Sequence, residues 1–315
     1  MSPRPPVAAI VAILFLAAAC GSSPTPSPSG PSASGGRSPA SSGGSGALDV
    51  LPTIVSSEIG VGPNRILVSV LDSTGTKPAA SPDRKVSVAF RGPGGQTIAA
   101  QPATFVWAIE GVSGVYVLHA TFPAAGAWIA DFTTSAPGSV EATIPFGFDV
   151  KARTQVLRPG DPAPSVATPT IASVGGDVAK VSTDATPVKR FYETSEADAL
   201  AASKPFVLIF ATPKFCATST CGPTLDKLKP IATAHPEMTF INVEPYVLHD
   251  DNGQLQPVLD AANNFQAAPA TMAFKLTSEP IVFVVGANGK IASSFELVFS
   301  PEEIEAAIQA VEKTS

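Results

Sequence analysis

Two cysteines, Cys216 and Cys221, are separated by four residues in the string KPFVLIFATPKFCATSTCGP. Paired thiols this close together support three chemistries. They can cycle between dithiol and disulfide, form a permanent cross-link, or bind a soft metal such as copper(I). On an ideal helix two positions five apart are rotated by ~140° and cannot bond, whereas a disulfide needs Cα atoms ~4.4–6.8 Å apart. The spacing therefore predicts Cys216 in a loop and Cys221 in or just before the first turn of a helix. A helix N-terminus favours the thiolate there, and Lys214 adds positive charge nearby. Either cysteine could be the one that attacks.

Other chemistry-bearing residues are sparse. His235 and His249 follow the second cysteine and read as surface loop residues, and His119 has no evident partner ligand. Glu244 ends the apolar run MTFINVE and is either a proton acceptor near the thiols or a strand-end charge. Asp250-Asp251-Asn252-Gly253 lacks calcium-ligand spacing and reads as a solvated turn. No phosphate loop, HExxH or GxSxG occurs. No metal site and no organic cofactor are expected.

The third cysteine, Cys20, makes the count odd and needs its own explanation. It follows Arg4, a 13-residue apolar run over Val7–Ala19, and three alanines. The run is short of the ~20 residues that a spanning helix needs and fits an export signal. After Cys20, Gly21–Gly46 contains 22 Ser, Gly or Pro among 26 residues, a tether unable to bury a core. The chain has 315 residues, a net charge of −6 and only 15% charged residues, with no basic patch, so nucleic acid is not an expected partner.

The elements that must position Cys216 and Cys221 follow from hydrophobic patterning. Phe206–Ala211 is a continuous apolar run, as in a strand buried on both faces. A helix is expected from the second cysteine to about Ala234, then a strand at Met238–Glu244 and a helix at Gln254–Phe265. Ile281–Val285 and Lys290–Phe295 read as strands around Asn288-Gly289. Ser300-Pro301-Glu302-Glu303 is a capping box opening the last helix. Upstream, residues 47–150 carry short β-prone runs between turn residues: Arg65–Leu71, Lys85–Phe90, Gly114–Phe122, Trp128–Phe132 and Val140–Ile144. Within Gly114–Phe122, the Tyr116, Leu118, Ala120 and Phe122 face is expected inside and His119 outside. Trp107 and Trp128 are expected to pack the core of this region.

Three resemblances follow from these strings. LAAAC resembles the bacterial lipobox, which implies that Cys20 is lipidated and becomes the mature N-terminus of an extracytoplasmic, membrane-anchored lipoprotein. VGPNRILVSVLD and GVYVLHATFPAAGAWIADF resemble immunoglobulin-like accessory domains, which implies a spacing or binding role. KPFVLIFATPKFCATSTCGP, MTFINVE and SEPIVFVVGANGKI resemble the thioredoxin superfamily, chiefly its exported thiol–disulfide oxidoreductases. That resemblance implies protein thiol or disulfide substrates and a cis-proline at Pro280 facing the cysteines. It also implies that Phe215 and Glu279 contact substrate. The spacing departs from the family's CxxC. Sco-type copper chaperones share that scaffold and use a distant histidine; a matching histidine late in the domain is missing here. The expected architecture is a signal peptide over 1–19, a tether over 20–46 and an all-β immunoglobulin-like sandwich over 47–150. A linker over 151–187 and an α/β thioredoxin-like domain over 188–315 follow. The expected function is thiol–disulfide exchange through Cys216 and Cys221; the alternatives are a surface binding module stapled by a structural disulfide, and a copper(I) chaperone.

Overall fold

A computed structural model describes residues 48–314. The export signal, Cys20 and the tether lie outside the described residues, so the lipidation expected at Cys20 has no structural counterpart here. Gly46–Ser315 forms one compact unit.

Its first half is a single antiparallel sheet. The strands are β1 (Val50–Ile54), β2 (Gly62–Asp72), β3 (Lys85–Arg91), β4 (Thr97–Ile109), β5 (Ser113–Phe122), β6 (Gly126–Ser135) and β7 (Ala142–Val150). Their spatial order is β1-β2-β5-β4-β3-β6-β7. The sheet curls until its two edges nearly meet. Val61 N–H donates to Lys151 O at 3.0 Å, and Lys151 N–H donates to Ile59 O at 2.8 Å. Buried Asn64 holds this seam: its side-chain amide donates to Gly60 O and Gly62 O, and its Oδ1 accepts from Gly60 N–H. Gly60 leaves room here for two neighbours: a Cβ there would stand 2.4 Å from the Arg158 guanidinium and 2.9 Å from the Thr154 methyl, so both would have to shift.

The barrel interior is aromatic. Trp128, Tyr116, Phe90, Phe122 and Phe132 are all below 2% exposed. Phe122 meets Phe90 and Trp128 edge-on at 5.2 and 4.9 Å between centroids, the arrangement that ring quadrupoles favour. The Tyr116, Leu118, Ala120 and Phe122 face points inward and His119 outward, as the alternation predicted. Trp107 is half-buried and shares its side of β4 with Phe105, which meets it edge-on and packs against this core.

The second half follows in the order α1 (Glu196–Ala201), β8 (Phe206–Phe210), α2 (Cys221–Ala234), β9 (Thr239–Val243), β10 (Leu248–Asp251), β11 (Gln254–Pro257), α3 (Pro269–Ala273), β12 (Ile281–Val285), β13 (Ile291–Glu296) and α4 (Pro301–Glu312). A four-stranded sheet has the order β13-β12-β8-β9, and β8 with β9 is its parallel pair. β8 and β12 are buried at every residue. Leu225, Leu228, Ile304 and Ile308 of α2 and α4 pack on one face. Phe274 and the partly buried Val156 and Leu157 pack on the other. The 151–187 segment runs along this sheet, with Ala163 N–H donating to Gly289 O.

The expected fold class, an immunoglobulin-like sandwich followed by an α/β thioredoxin-like domain, is not what the chain adopts. The described residues are 39% strand and 19% helix, dominated by a nearly closed seven-stranded sheet. Two physical reasons stand out. β4 is 13 residues long, and it pairs with β3 through Thr97–Ala103 and with β5 through Thr104–Ile109. One strand thus serves both halves, and register shifts in β3 and β4 bend the sheet into a barrel rather than splitting it into two layers. In the C-terminal half, the helix expected over Gln254–Phe265 does not form. Asn252 and Gly253 both take positive φ, at 55° and 81°, closing a two-residue hairpin between β10 and β11. The helical complement among the described residues is reduced to α2 and α4, with α1 and α3 barely longer than a turn.

Candidate functional site

Cys216 and Cys221 are joined as a disulfide, with Cα atoms 6.0 Å apart. Cys216 lies in the loop after β8 and is half-buried; Cys221 is the first residue of α2 and is fully buried. The Cys221 N–H donates to Cys216 Sγ at 3.2 Å. A free amide at a helix start thus points at the outer sulfur, where it stabilises negative charge.

Glu279 ties this loop to the next chain segment. Its Oε1 accepts from Ala217 N–H at 3.1 Å, and its carbonyl accepts from the Thr218 hydroxyl at 3.1 Å. The Glu279–Pro280 peptide is cis. Cys216 Sγ also lies 3.4 Å from the Thr218 hydroxyl. An aromatic rim completes the surround. Phe215 meets Phe265 at 5.9 Å, Phe265 meets Tyr246 at 5.2 Å, and the Tyr246 hydroxyl bonds the Glu279 side chain. Burial, followed by the adjacent Glu279 carboxylate, pushes the Tyr246 phenol up to about 12. Phe265 remains 41% exposed, so the rim offers apolar surface to solvent.

Of the residues expected to act together, Cys216, Cys221, Phe215, Glu279 and Pro280 are gathered by contacts or by adjacency in the chain. Others are placed differently. The Lys214 ammonium donates to Leu255 O at 3.2 Å and sits 5.5 Å over the Phe215 ring, so its charge is committed to the rim. His235 bonds Glu305 and Glu312 of α4, and His249 lies exposed on β10. No group of three or more potential metal ligands occurs among the described residues. Asp250–Gly253 is the hairpin turn already described.

Glu244 is buried beneath the loop that carries Cys216. Its Oε1 accepts from both the amide and the hydroxyl of Thr183, and Thr212 bonds the same carboxyl. Its Oε2 has no partner among the described residues. Burial outweighs these bonds and pushes its pKa up to about 7. Thr183 also accepts from Lys214 N–H at 3.3 Å, which links the carboxyl to the base of the cysteine loop. Tyr246, Phe265, Thr183 and Thr218 belong to the site but carried no sequence signal. Tyr246 and Phe265 lie 25 or more residues beyond Cys221, in and beside a segment that reads as helix.

No protein-family model matches the chain, and no curated protein matches it. Among solved structures, the chain is similar to a DUF4426 family protein from Pseudomonas aeruginosa PAO1 at 16% identity and a TM-score of 0.23, over 30% of this chain and 68% of that one, too slight a likeness to assign a fold or an activity.

Proposed function

We propose that this chain is a membrane-tethered, extracytoplasmic protein that exchanges disulfides with protein clients through Cys216 and Cys221. The observation that carries the reading is the asymmetry of the pair: one sulfur half-exposed in a loop and facing a helix-start amide, the other buried one step behind it. In the reducing direction, the Cys216 thiolate attacks one sulfur of a client disulfide, and the other client sulfur leaves as a thiolate. The Cys221 thiolate then attacks Cys216 Sγ. That step releases the second client thiol and closes the Cys216–Cys221 bond, so two electrons pass to the client. The oxidising direction is the reverse. The aromatic rim supplies apolar contact for an incoming chain, and Cys20 with the tether supplies the membrane address.

A reduction-potential titration tests this. A working couple equilibrates above about −300 mV with fast exchange. A lower potential with slow exchange identifies a structural staple instead, the reading that Cys221's place in the apolar core favours. In a Cys221→Ser variant, Cys216 is expected to retain client proteins as mixed disulfides. Cys20→Ala is expected to move the protein from the membrane fraction to the soluble fraction.

A further inference from the structure

A crevice whose lining includes neither cysteine lies between the outer face of the barrel and the edge of the C-terminal sheet. Its volume is about 1280 Å³, above the ~300–1,000 Å³ usual for small-molecule sites. One wall is β13, the edge strand of its sheet. Leu297 N–H donates to Pro280 O at 2.8 Å, which makes that pair hydrogen-bonded. The register Val282↔Phe295, Phe283↔Ser294, Val284↔Ser293 then makes Phe283↔Ser294 the non-bonded pair. Ser294 therefore turns its N–H and C=O away from β12, and it lines the crevice.

The chain already uses this edge one step earlier. Gly160 N–H donates to Ile291 O, Ile291 N–H donates to Asp161 O, and Ala163 N–H donates to Gly289 O. The added segment then leaves the edge at Gly160, whose φ is +99°, and Arg158 swings to Val61 O and Pro63 O on the barrel. Beyond that departure the edge at Ser294 has no strand partner among the described residues.

The charges on the crevice wall are unevenly satisfied. Its acids are engaged: Glu58 with Lys151, Glu303 with Arg65, Glu296 with Ser57 and Ser278, and Asp161 with Arg158 N–H. Two exposed cations, Arg153 and Lys275, line the same crevice, and neither side chain makes a hydrogen bond or ion pair among the described residues. An edge strand with outward backbone groups recruits an extended chain, and unpaired cations select acidic side chains on it. We infer that this crevice binds an extended, acidic peptide segment, which adds as a strand alongside Ser294 of β13 and places its carboxylates against Arg153 and Lys275.

The probe is a fluorescein-labelled, acetylated and amidated hexapeptide of three Glu-Val repeats, titrated with the full chain at low ionic strength and read by anisotropy. Saturable binding is expected, with a Lys-Val repeat at least about tenfold weaker. Ser294→Pro removes the outward N–H at an edge position where proline leaves the strand intact; it is expected to weaken binding about tenfold, the loss of roughly one hydrogen bond. Arg153→Glu with Lys275→Glu, both on exposed side chains, is expected to reverse the preference between the two peptides. If Ser294→Pro fails to fold by circular dichroism, the charge-reversal pair decides alone. No saturable binding of the Glu-Val peptide, full binding by a folded Ser294→Pro protein, or an unchanged preference in the charge-reversal variant overturns the inference.

Discussion

The two sulfurs of the Cys216–Cys221 bond live in different media. Cys221 is sealed among Leu225, Leu228 and Val282, whereas Cys216 packs only partly against that core. Apolar burial opposes ionisation and the helix-start amide favours it. The outer thiol of the reduced protein should therefore be the reactive one. With limiting iodoacetamide at neutral pH, mass spectrometry of the reduced protein is expected to find Cys216 alkylated at least ten times faster than Cys221; equal labelling would sink this assignment. Glu244 offers a second test beneath the same loop. Its carboxyl is pushed up to about 7 by burial, above the ordinary carboxylic-acid value. A raised folded value means that the protonated form stabilises the fold. That contribution is full below about pH 4.5 and is lost as pH rises through about 7. Glu244→Gln mimics the protonated carboxyl, so thermal melts should show it more stable than the parent at pH 8 and nearly equal at pH 4.5. A variant equally destabilised at both values would show that the carboxylate itself is needed.

The helix that begins at Cys221 is fastened at its far end. His235 caps α2, and its ring nitrogens meet Glu305 at 2.6 Å and Glu312 at 3.4 Å on α4. The Glu305 hydrogen bond is the main cause that raises the His235 pKa above its ordinary value. Because the folded value is raised, the lock is fully present below about pH 6.5 and fades as pH climbs through the folded pKa. His235→Gln is expected to cost about 0.5–1 kcal/mol at pH 5.5 and close to nothing at pH 9, read from urea midpoints; a pH-independent cost would argue against a protonation lock. The two ends of α2 were unequally legible in the sequence. The loop-then-helix placement of Cys216 and Cys221 followed from bond geometry, and the Ser300–Glu303 capping box of α4 forms as its residues dictate. The lock did not show, because it joins residues 70 and 77 positions apart. Local patterning likewise found β2, β3, β5 and β6, but it reached only the first three residues of β7 and missed β1. It missed β4, whose Thr97–Gln101 start is polar and Ala-rich and becomes strand through pairing with β3. It missed β10 and β11 because Asn252-Gly253 outweighed the helical period of the residues that follow it.

At the scale of the molecule, the barrel and the C-terminal sheet each own a core, yet charged side chains stitch them together. Arg65 of β2 bonds both Glu303 oxygens, donates to Val298 O and lies 5.6 Å over the Phe295 ring. Lys227 of α2 donates to Trp107 O on the barrel and to Phe299 O, and burial depresses its pKa. Leu67, Val106 and Val117 on the barrel's outer face pack with Val298 into a small shared cluster, so this face of the barrel is an interface rather than a solvated surface. The residues beside the disulfide and those on the barrel thus share one helix, α2, with Cys221 at its start and Lys227 in its second turn. Coupling of this kind predicts one unfolding transition for the whole of Gly46–Ser315. Arg65→Ala would leave the largely buried Glu303 carboxylate without its partner, a loss of about 3 kcal/mol. For a unit of this size that loss lowers the midpoint by roughly 5 °C. Calorimetry should show a single endotherm for the parent. In Arg65→Ala the endotherm should be lower and broader, with the aromatic barrel unfolding apart from the sheet that carries the cysteines. Two endotherms in the parent, or an Arg65→Ala profile that superimposes on it, would mean that the barrel and the disulfide-bearing half fold independently. Mutations on the barrel would then leave the chemistry at Cys216 untouched.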